Sequence, residues 1–318
     1  MELKYEQYQF SPILGWSISR YETFDKCKRQ YFYSYYSKYV PDIPGYKISK
    51  LKELTSVPLE TGNVVHDVLE AFLRRLQKSD TDIDEKRFFE YSRKLAQRYF
   101  SEKTFIEQYY DNKTVEIEAA YEKIETCLRN FIQSPCYNWI FMAAIRERKN
   151  WMIEPPGFGE TRLNGMKAYC KMDFLLPVDG DIHILDWKTG HRDEVKHKSQ
   201  LMGYAAATNS NFGIEWNRIC PKIVYLYPEF GELEIQFDSD QLQQFFNTIK
   251  DQTESMYSFC SNVEENRPLP IEKFEKNPSP SLCRQCRFQE LCFPQRENRM
   301  EHGNMDFDYG SARQELIF

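Results

Sequence analysis

The most regular hydrophobic patterning in the chain lies between residues 168 and 188. Two apolar runs, Ala168 to Val178 and Asp181 to Lys188, flank Asp179-Gly180. An Asp-Gly pair between such runs is the strongest short-range hairpin signal. Within the second run, Ile182-His183-Ile184-Leu185 reads as a buried strand ending in Asp186-Trp187-Lys188. Side chains alternate across a strand, so Asp186 and Lys188 share a face. With Asp179 and Gly180 in the turn, Val178 faces Asp181, and counting back along both strands sets Asp173 opposite Asp186. Opposed Cβ atoms lie roughly 4.5–5.5 Å apart, and like charges at that spacing destabilise a sheet. A divalent cation between the carboxylates would turn repulsion into coordination, since hard oxygen ligands suit Mg²⁺ or Mn²⁺. The plainer alternative is two surface carboxylates on an edge, and a bulge or odd-length turn would undo the pairing.

Elsewhere the pattern is mostly helical. Ser19-x-x-Glu22 forms a capping box ahead of an aromatic-rich amphipathic run through Tyr36, ended by Pro41 and Pro44. A polar stretch to Pro58 follows, and Gly62 opens a second helix carrying His66, Leu69, Phe72 and Leu73. Dispersed charge among Phe, Tyr and Leu from about Asp84 to Ile132 predicts helices, read as an insertion beside the sheet over roughly residues 67–145. Arg146 to Ile153 predicts a first strand, broken by Pro155-Pro156-Gly157. After the hairpin come a helix from about Lys196 to Thr208 and strands near Lys222–Tyr227 and Glu232–Phe237. A helix begins at Asp238-Ser239-Asp240 and runs to about Ser261. Prolines 268, 270, 278 and 280 link to a small cysteine-bearing segment, and the last eighteen residues are polar enough to be disordered. The predicted class is α/β, a mixed sheet flanked by helices.

Composition narrows the partners less than the pattern does. A chain of 318 residues, 41% hydrophobic, can bury a sizeable core. It carries no membrane-length apolar stretch and no signal-peptide layout, so a cytoplasmic protein is expected. The net charge of −6 does not advertise nucleic-acid binding. Basic residues nevertheless cluster locally, at Arg20, Lys26, Lys28, Arg29 and Lys38, and at Arg284, Arg287, Arg296 and Arg299. No Gly-x-x-x-x-Gly-Lys phosphate loop is present, so no ATP motor is recognisable.

Nine cysteines in a long chain without a secretion signal argue for reduced thiols or metal ligation over disulfides. Cys283-x2-Cys286-x5-Cys292 has metal-ligand spacing, but a closed tetrahedral site needs a fourth ligand. Cys27, set among Lys26, Lys28 and Arg29, is the best remote candidate. Cys127, Cys136, Cys170, Cys220 and Cys260 sit in regular patterns and read as small buried hydrophobes. Ligand count alone leaves zinc and an iron–sulfur cluster both open.

Taken in order, these pieces resemble the PD-(D/E)XK nuclease superfamily in its RecB-like branch. That branch holds the AddB nuclease domain and the CRISPR-associated iron–sulfur exonucleases. Ser17-x-Ser19-x-x-x-x-Phe24-x-x-Cys27 with Arg29-x-Tyr31-x-Tyr33 is similar to its opening helix, and Gly62-x-x-x-His66-x-x-Leu69-Glu70 to its Gly-x-x-x-His helix. Asp173 and Asp186-x-Lys188-Thr189-Gly190 resemble its catalytic core, and Gln200-Leu201-x-x-Tyr204 its Gln-x-x-x-Tyr helix. Cys283, Cys286 and Cys292 match its last three cluster ligands. One departure is Cys170, where family members carry glycine.

The resemblance implies a restriction-endonuclease-like core in one domain over residues 1–300, and a metal-dependent deoxyribonuclease. An exonuclease on single-stranded DNA or DNA ends is expected, serving repair, recombination or defence beside a helicase or a CRISPR or recombination partner. Asp173, Asp186, His66 and the Trp187 carbonyl would hold Mg²⁺ or Mn²⁺, and Lys188 would position the attacking water or offset phosphate charge. Gln200 and Tyr204 would orient the scissile strand. A 4Fe-4S cluster on Cys27, Cys283, Cys286 and Cys292 would tie the chain ends together. An acid on the first strand could join the site, with Glu147 and Glu154 both candidates. For His66 the plain reading is an i,i+4 pair with Glu70. Tyr31, Tyr33, Tyr35 and Tyr36 read mostly as core, with base stacking the alternative. Two other classes remain open: a catalytically weak iron–sulfur DNA-binding subunit of a helicase–nuclease complex, and a zinc-stabilised binding protein.

Overall fold

The computed structural model describes residues 8–41, 43–154 and 159–294; the Pro155-Pro156-Gly157 break, Arg296, Arg299 and the polar tail lie outside the described residues. Helices come first: α1 (Ile18–Lys26), α2 (Lys28–Tyr35), α3 (Gly45–Glu53), α4 (Val57–Lys78), α5 (Glu85–Glu102), α6 (Ile106–Tyr109), α7 (Ile117–Ile132) and α8 (Pro135–Met142). Next follow β1 (Met152–Ile153), β2 (Glu160–Leu163), β3 (Met166–Tyr169), β4 (Phe174–Val178) and β5 (Asp181–Lys188). The chain continues through α9 (Glu194–Phe212), β6 (Ile219–Tyr225), β7 (Gly231–Glu234), α10 (Ser239–Tyr257), β8 (Cys260–Asn262), β9 (Arg267–Pro268), α11 (Pro280–Arg284) and α12 (Gln289–Cys292).

Five strands form one mixed sheet in the order β1-β4-β5-β6-β7. Asp179 and Gly180 both take positive φ, 50° and 94°, as a two-residue primed turn requires. The resulting ladder pairs Val178 with Asp181 and Phe174 with Leu185, the register expected from the sequence. Strand β5 then runs parallel to β6, so α9 crosses over between them. Alternation along the strands feeds two cores. Ile182, Ile184 and Ile223 pack with Leu201, Tyr204 and Ala205 of α9 on one face. Leu185, Trp187 and Val224 pack with Val65, Leu69 and Phe131 of α4 and α7 on the other. Trp187 meets Phe131 edge-on at 5.4 Å between ring centroids, a geometry that suits aromatic quadrupoles.

Several local expectations change. The predicted first helix is two, broken at Cys27, whose extended backbone ends α1 and whose Sγ accepts from Gln30 N of α2. Ser17, ahead of the expected Ser19, is the α1 N-cap, because its hydroxyl accepts from Arg20 N. Helix α4 starts at Val57, with Pro58 in its first turn, so Gly62 lies inside the helix. There it permits close packing: a Cβ at Gly62 would sit 3.3 Å from Thr189 Oγ1. Helices α4, α5, α7 and α8 pack together in the core on one face of the sheet, and α4 carries His66. The predicted first strand is mostly a 3-10 segment, Ala144–Asn150, leaving only Met152–Ile153 as β1. The run from Ala168 breaks after Tyr169, where β3 pairs back on β2. Asp173 thus stands just outside the ladder.

Tyr31, Tyr33 and Tyr36 are core, whereas Tyr35 is 39% exposed. Among the described residues no helix is long and apolar enough to cross a membrane.

Two glycines test backbone strain against space. Gly159 and Gly165 both have positive φ, 64° and 79°. A Cβ at Gly159 would fall 2.4 Å from the Cys170 carbonyl oxygen, while Gly165 faces open space. Gly165→Ala should cost the backbone term of about 1–2 kcal/mol alone. Gly159→Ala should cost clearly more, read as the difference in urea unfolding midpoints.

Candidate functional site

The hairpin end gathers the chemistry. At the close of β5, Lys188 Nζ lies 2.5 Å from Asp186 Oδ2, as side chains two apart on a strand should. Asp186 is only 2% exposed. Helix α9, starting behind an Asp193 cap, lays two residues one turn apart over it. The Tyr204 hydroxyl donates to Asp186 Oδ1 at 2.5 Å. Gln200 Nε2 donates to the Tyr204 oxygen at 2.6 Å and reaches Asp186 Oδ1 at 3.4 Å. The carboxylate is thus fixed in rotamer from three directions.

Asp173 builds the adjoining half. Its Oδ2 accepts from the Trp187 amide at 3.0 Å and stands 3.3 Å from His66 Nδ1. Trp187 turns its ring into the opposite core. Glu154 enters from just past β1 in a left-handed conformation, φ 42°, with its amide donating to the Asp173 carbonyl at 2.8 Å. His66, Glu154 and Asp173 each present one ligand atom, all within 4.8 Å of one another. Of the two first-strand acids, Glu154 therefore joins the group. Glu147 accepts from Asn150 away from it. Glu70 pairs with Arg74 at 2.7 Å, so His66 takes Asp173 instead of its helix neighbour. The only sequence signal for Glu154 over Glu147 was its place nearer the break, and the shortness of β1 hid it.

Electrostatics separates the two aspartates. Burial and the neighbouring Asp173 charge push Asp186 up, against the pull of Lys188 and Tyr204. Asp173 is held down: burial opposes its charge, but His66, the Trp187 amide and Lys188 outweigh it. Burial disfavours the His66 imidazolium, yet the Asp173 carboxylate, with Asp186 behind it, raises His66 to about 9. Closely placed carboxylates with opposed shifts mark sites of proton and metal chemistry.

The donor set suits a hard divalent ion. Asp186 Oδ2 and Glu154 Oε2 are buried, and each faces one lysine ammonium, Lys188 and Lys171, with no further hydrogen bond among the described residues. Oxygens with spare lone pairs beside an imidazole match Mg²⁺ or, with the nitrogen, Mn²⁺. Cys170, buried at the rim, points its Sγ at α9, 3.8 Å from where a Gly203 Cβ would stand; Gly203 supplies the space that Cys170 fills.

A second group forms far from the hairpin in sequence terms. Cys27, at the α1–α2 break, lines one small cavity with Cys283, Cys286 and Cys292. Asn277 Nδ2 donates to the Lys26 carbonyl at 2.8 Å, and Arg29 Nε to that of Phe274 at 2.8 Å, which holds the two ends together. Burial lifts the Cys286 and Cys292 thiols to about 12 and about 11. Cys127, Cys136 and Cys170 are buried singly, as expected, while Cys220 and Cys260 are only partly so.

Residues 15–293 match the PD-(D/E)XK nuclease superfamily model, and the chain belongs to that superfamily. It is accordingly a nuclease, a phosphodiester hydrolase of a DNA-cutting superfamily that uses divalent metals. A solved protein of Eubacterium rectale, described as a candidate exonuclease, aligns over 96% of this chain and 94% of its own, with 14% identity and a TM-score of 0.46. SSO0001 aligns over 56% of this chain and 74% of its own, with 17% identity and a TM-score of 0.28. Neither likeness is close enough to bear on function. No curated protein matches the chain.

In the metal-free protein, His66 should stay protonated from pH 6 to 8 and titrate near 9, read from its imidazole proton shifts by NMR. Its folded value is raised above the unfolded value of about 6.5. The pair with Asp173 therefore stabilises the fold fully below that pH, and the benefit fades as pH rises towards 9. Asp173→Asn should bring the midpoint down by at least about one unit.

Proposed function

We propose that the chain is a RecB-like, metal-dependent exonuclease that degrades single-stranded DNA or DNA from free ends, with a 4Fe-4S cluster on Cys27, Cys283, Cys286 and Cys292. The observation that supports this best is the convergence of Asp186, Lys188, Gln200 and Tyr204 with His66, Asp173 and Glu154 on one hairpin end. His66, Glu154, Asp173 and Asp186, with the Trp187 carbonyl, would hold the divalent ion. Such an ion lowers the pKa of bound water and offsets charge on the phosphate during in-line attack.

The remaining roles belong to the chain itself. Lys188 holds a positive charge at the mouth of the site, where it neutralises Asp186 before substrate arrives and the phosphate afterwards. Tyr204 and Gln200 keep Asp186 in its working rotamer, so little reorganisation is left for the reaction. His66 carries a proton that must leave before its nitrogen can ligate. Cys27 would join Cys283, Cys286 and Cys292 of the segment 278–300, making residues 1–300 one nuclease domain with a helical insertion over about 67–145. The enzyme would work beside a helicase or a CRISPR or recombination partner, or alone on exposed ends, in repair, recombination or defence.

Degradation of end-labelled single- and double-stranded DNA with Mn²⁺ tests the catalytic assignment. Asp186→Asn and Lys188→Ala should each lower the rate by about 10²–10³-fold or more. Undiminished cutting by both variants would sink it, and full DNA binding by a wild type that never cuts would mark a non-catalytic subunit.

The cluster has its own test. Purified protein should be brown and carry about four irons per chain, and Cys292→Ser should lose both. By analogy with long-loop crosslinks, that variant should also lose on the order of 5 kcal/mol of stability. A colourless protein carrying zinc would replace the cluster with a structural zinc site.

A further inference from the structure

Beside the hairpin end runs a cleft of about 660 Å³, reached by Lys188, Gln200 and Tyr204 on one side and by α1 on the other. Its outer wall is built around Arg20. The guanidinium carbon lies 4.5 Å from the Tyr35 ring centroid and 5.6 Å from that of Tyr169. Arg20 Nη1 donates to the Gly15 carbonyl at 2.5 Å. Gly15 is itself required, because a Cβ there would sit 2.4 Å from the Tyr169 ring. The chain thus gives up a side chain at residue 15 so that Tyr169 can lie against the backbone under Arg20.

The charges around the cleft differ in how they are used. Lys188 is paired with Asp186, Lys171 with Glu154 and Lys196 with Glu22 at 2.5–2.9 Å. Arg20 makes no ion pair among the described residues. A guanidinium stacked on aromatic rings keeps its planar fork in a fixed orientation and loses little entropy on binding. Its unused N–H groups are the geometry that grips phosphate in two points. In a chain of net charge −6, a preorganised, uncompensated arginine facing a nuclease site is an anomaly that an anionic substrate resolves.

We propose that Arg20, seated on Tyr35 and Tyr169, is a phosphate-binding subsite that holds the backbone of a single nucleic-acid strand beside the cleavage centre. This rests on the nuclease reading of the hairpin end and extends it to the path of the strand. The cleft, of about 660 Å³, has room for a nucleotide or two of one strand. Arg20 is a positioning residue: it fixes where the strand lies without touching the reacting atoms.

The test uses the full chain carrying Asp186→Asn, so that a labelled oligothymidylate stays whole, and reads binding by fluorescence anisotropy from low to moderate salt. Adding Arg20→Gln should weaken single-strand binding at least about fivefold and flatten the log–log salt slope by about 0.7, the loss of one single-strand phosphate contact. Arg20→Lys should recover the slope but only part of the affinity, since it restores charge without the fork. Tyr35→Leu should fall between wild type and Arg20→Gln. Thermal midpoints near that of the parent show that the fold is kept, and if Arg20→Gln does not fold, the Arg20→Lys pattern decides. An unchanged slope, or an equal loss of affinity for blunt duplex, overturns the subsite. If the otherwise wild-type chain still cuts DNA with Mn²⁺ in that event, the subsite alone has failed; if it neither binds nor cuts, the nuclease reading fails with it.

Discussion

Everything at the site depends on the register of one hairpin. Because side chains alternate with period two, a slip of one residue between β4 and β5 would turn every side chain to the other face. Asp186 would then enter the core of α4 and α7, and Trp187 would meet α9. The left-handed Asp179-Gly180 turn and the apolar demand of two different cores fix the register twice over. A buried carboxylate is tolerable at that point only because a hydroxyl, an amide and an ammonium converge on it, since an unpaired buried charge costs several kcal/mol.

The two halves of the site differ in how they are assembled. Asp173, Asp186, Trp187 and Lys188 come from one hairpin and are local in sequence. Gln200 and Tyr204 arrive by the crossover between the parallel pair, and His66 comes from a helix more than a hundred residues earlier. What joins them is the close approach of α4 to the end of β5, where Gly62 meets Thr189. A side chain at residue 62 would crowd the Thr189 hydroxyl at 3.3 Å, close to the point where the helix delivers its histidine.

Legibility followed the same division. The hairpin, its register and the Asp–Lys face were readable because turn chemistry and alternation are local rules. Cys27 was readable as a candidate companion of Cys283, Cys286 and Cys292, because three close thiols leave a tetrahedral site one ligand short, and the fold brings all four to one cavity. The break of the first helix at Cys27 was not readable, since Asp25-Lys26-Cys27-Lys28 contains no glycine or proline. The choice of Glu154 over Glu147 also escaped, because it depends on a left-handed residue beside a two-residue strand. The role of Tyr35 stayed open in a run of tyrosines of similar pattern. Only tertiary packing tells which one is left at the surface.

The closure of the chain ends has a consequence in time. Helix α1, which forms the outer wall of the cleft, rests on Phe259 through Phe24, and α2 rests on Phe274 through Phe32. Those supports, and the Asn277 contact to Lys26, come from residues made well after the hairpin and α9, at about 5–20 residues per second. The hairpin and α9 emerge and can pair well before then, while α1 still lacks the surface it leans on. A nascent chain therefore holds its acidic hairpin end for seconds before α1, the far wall of the cleft, gains the aromatic surface it leans on.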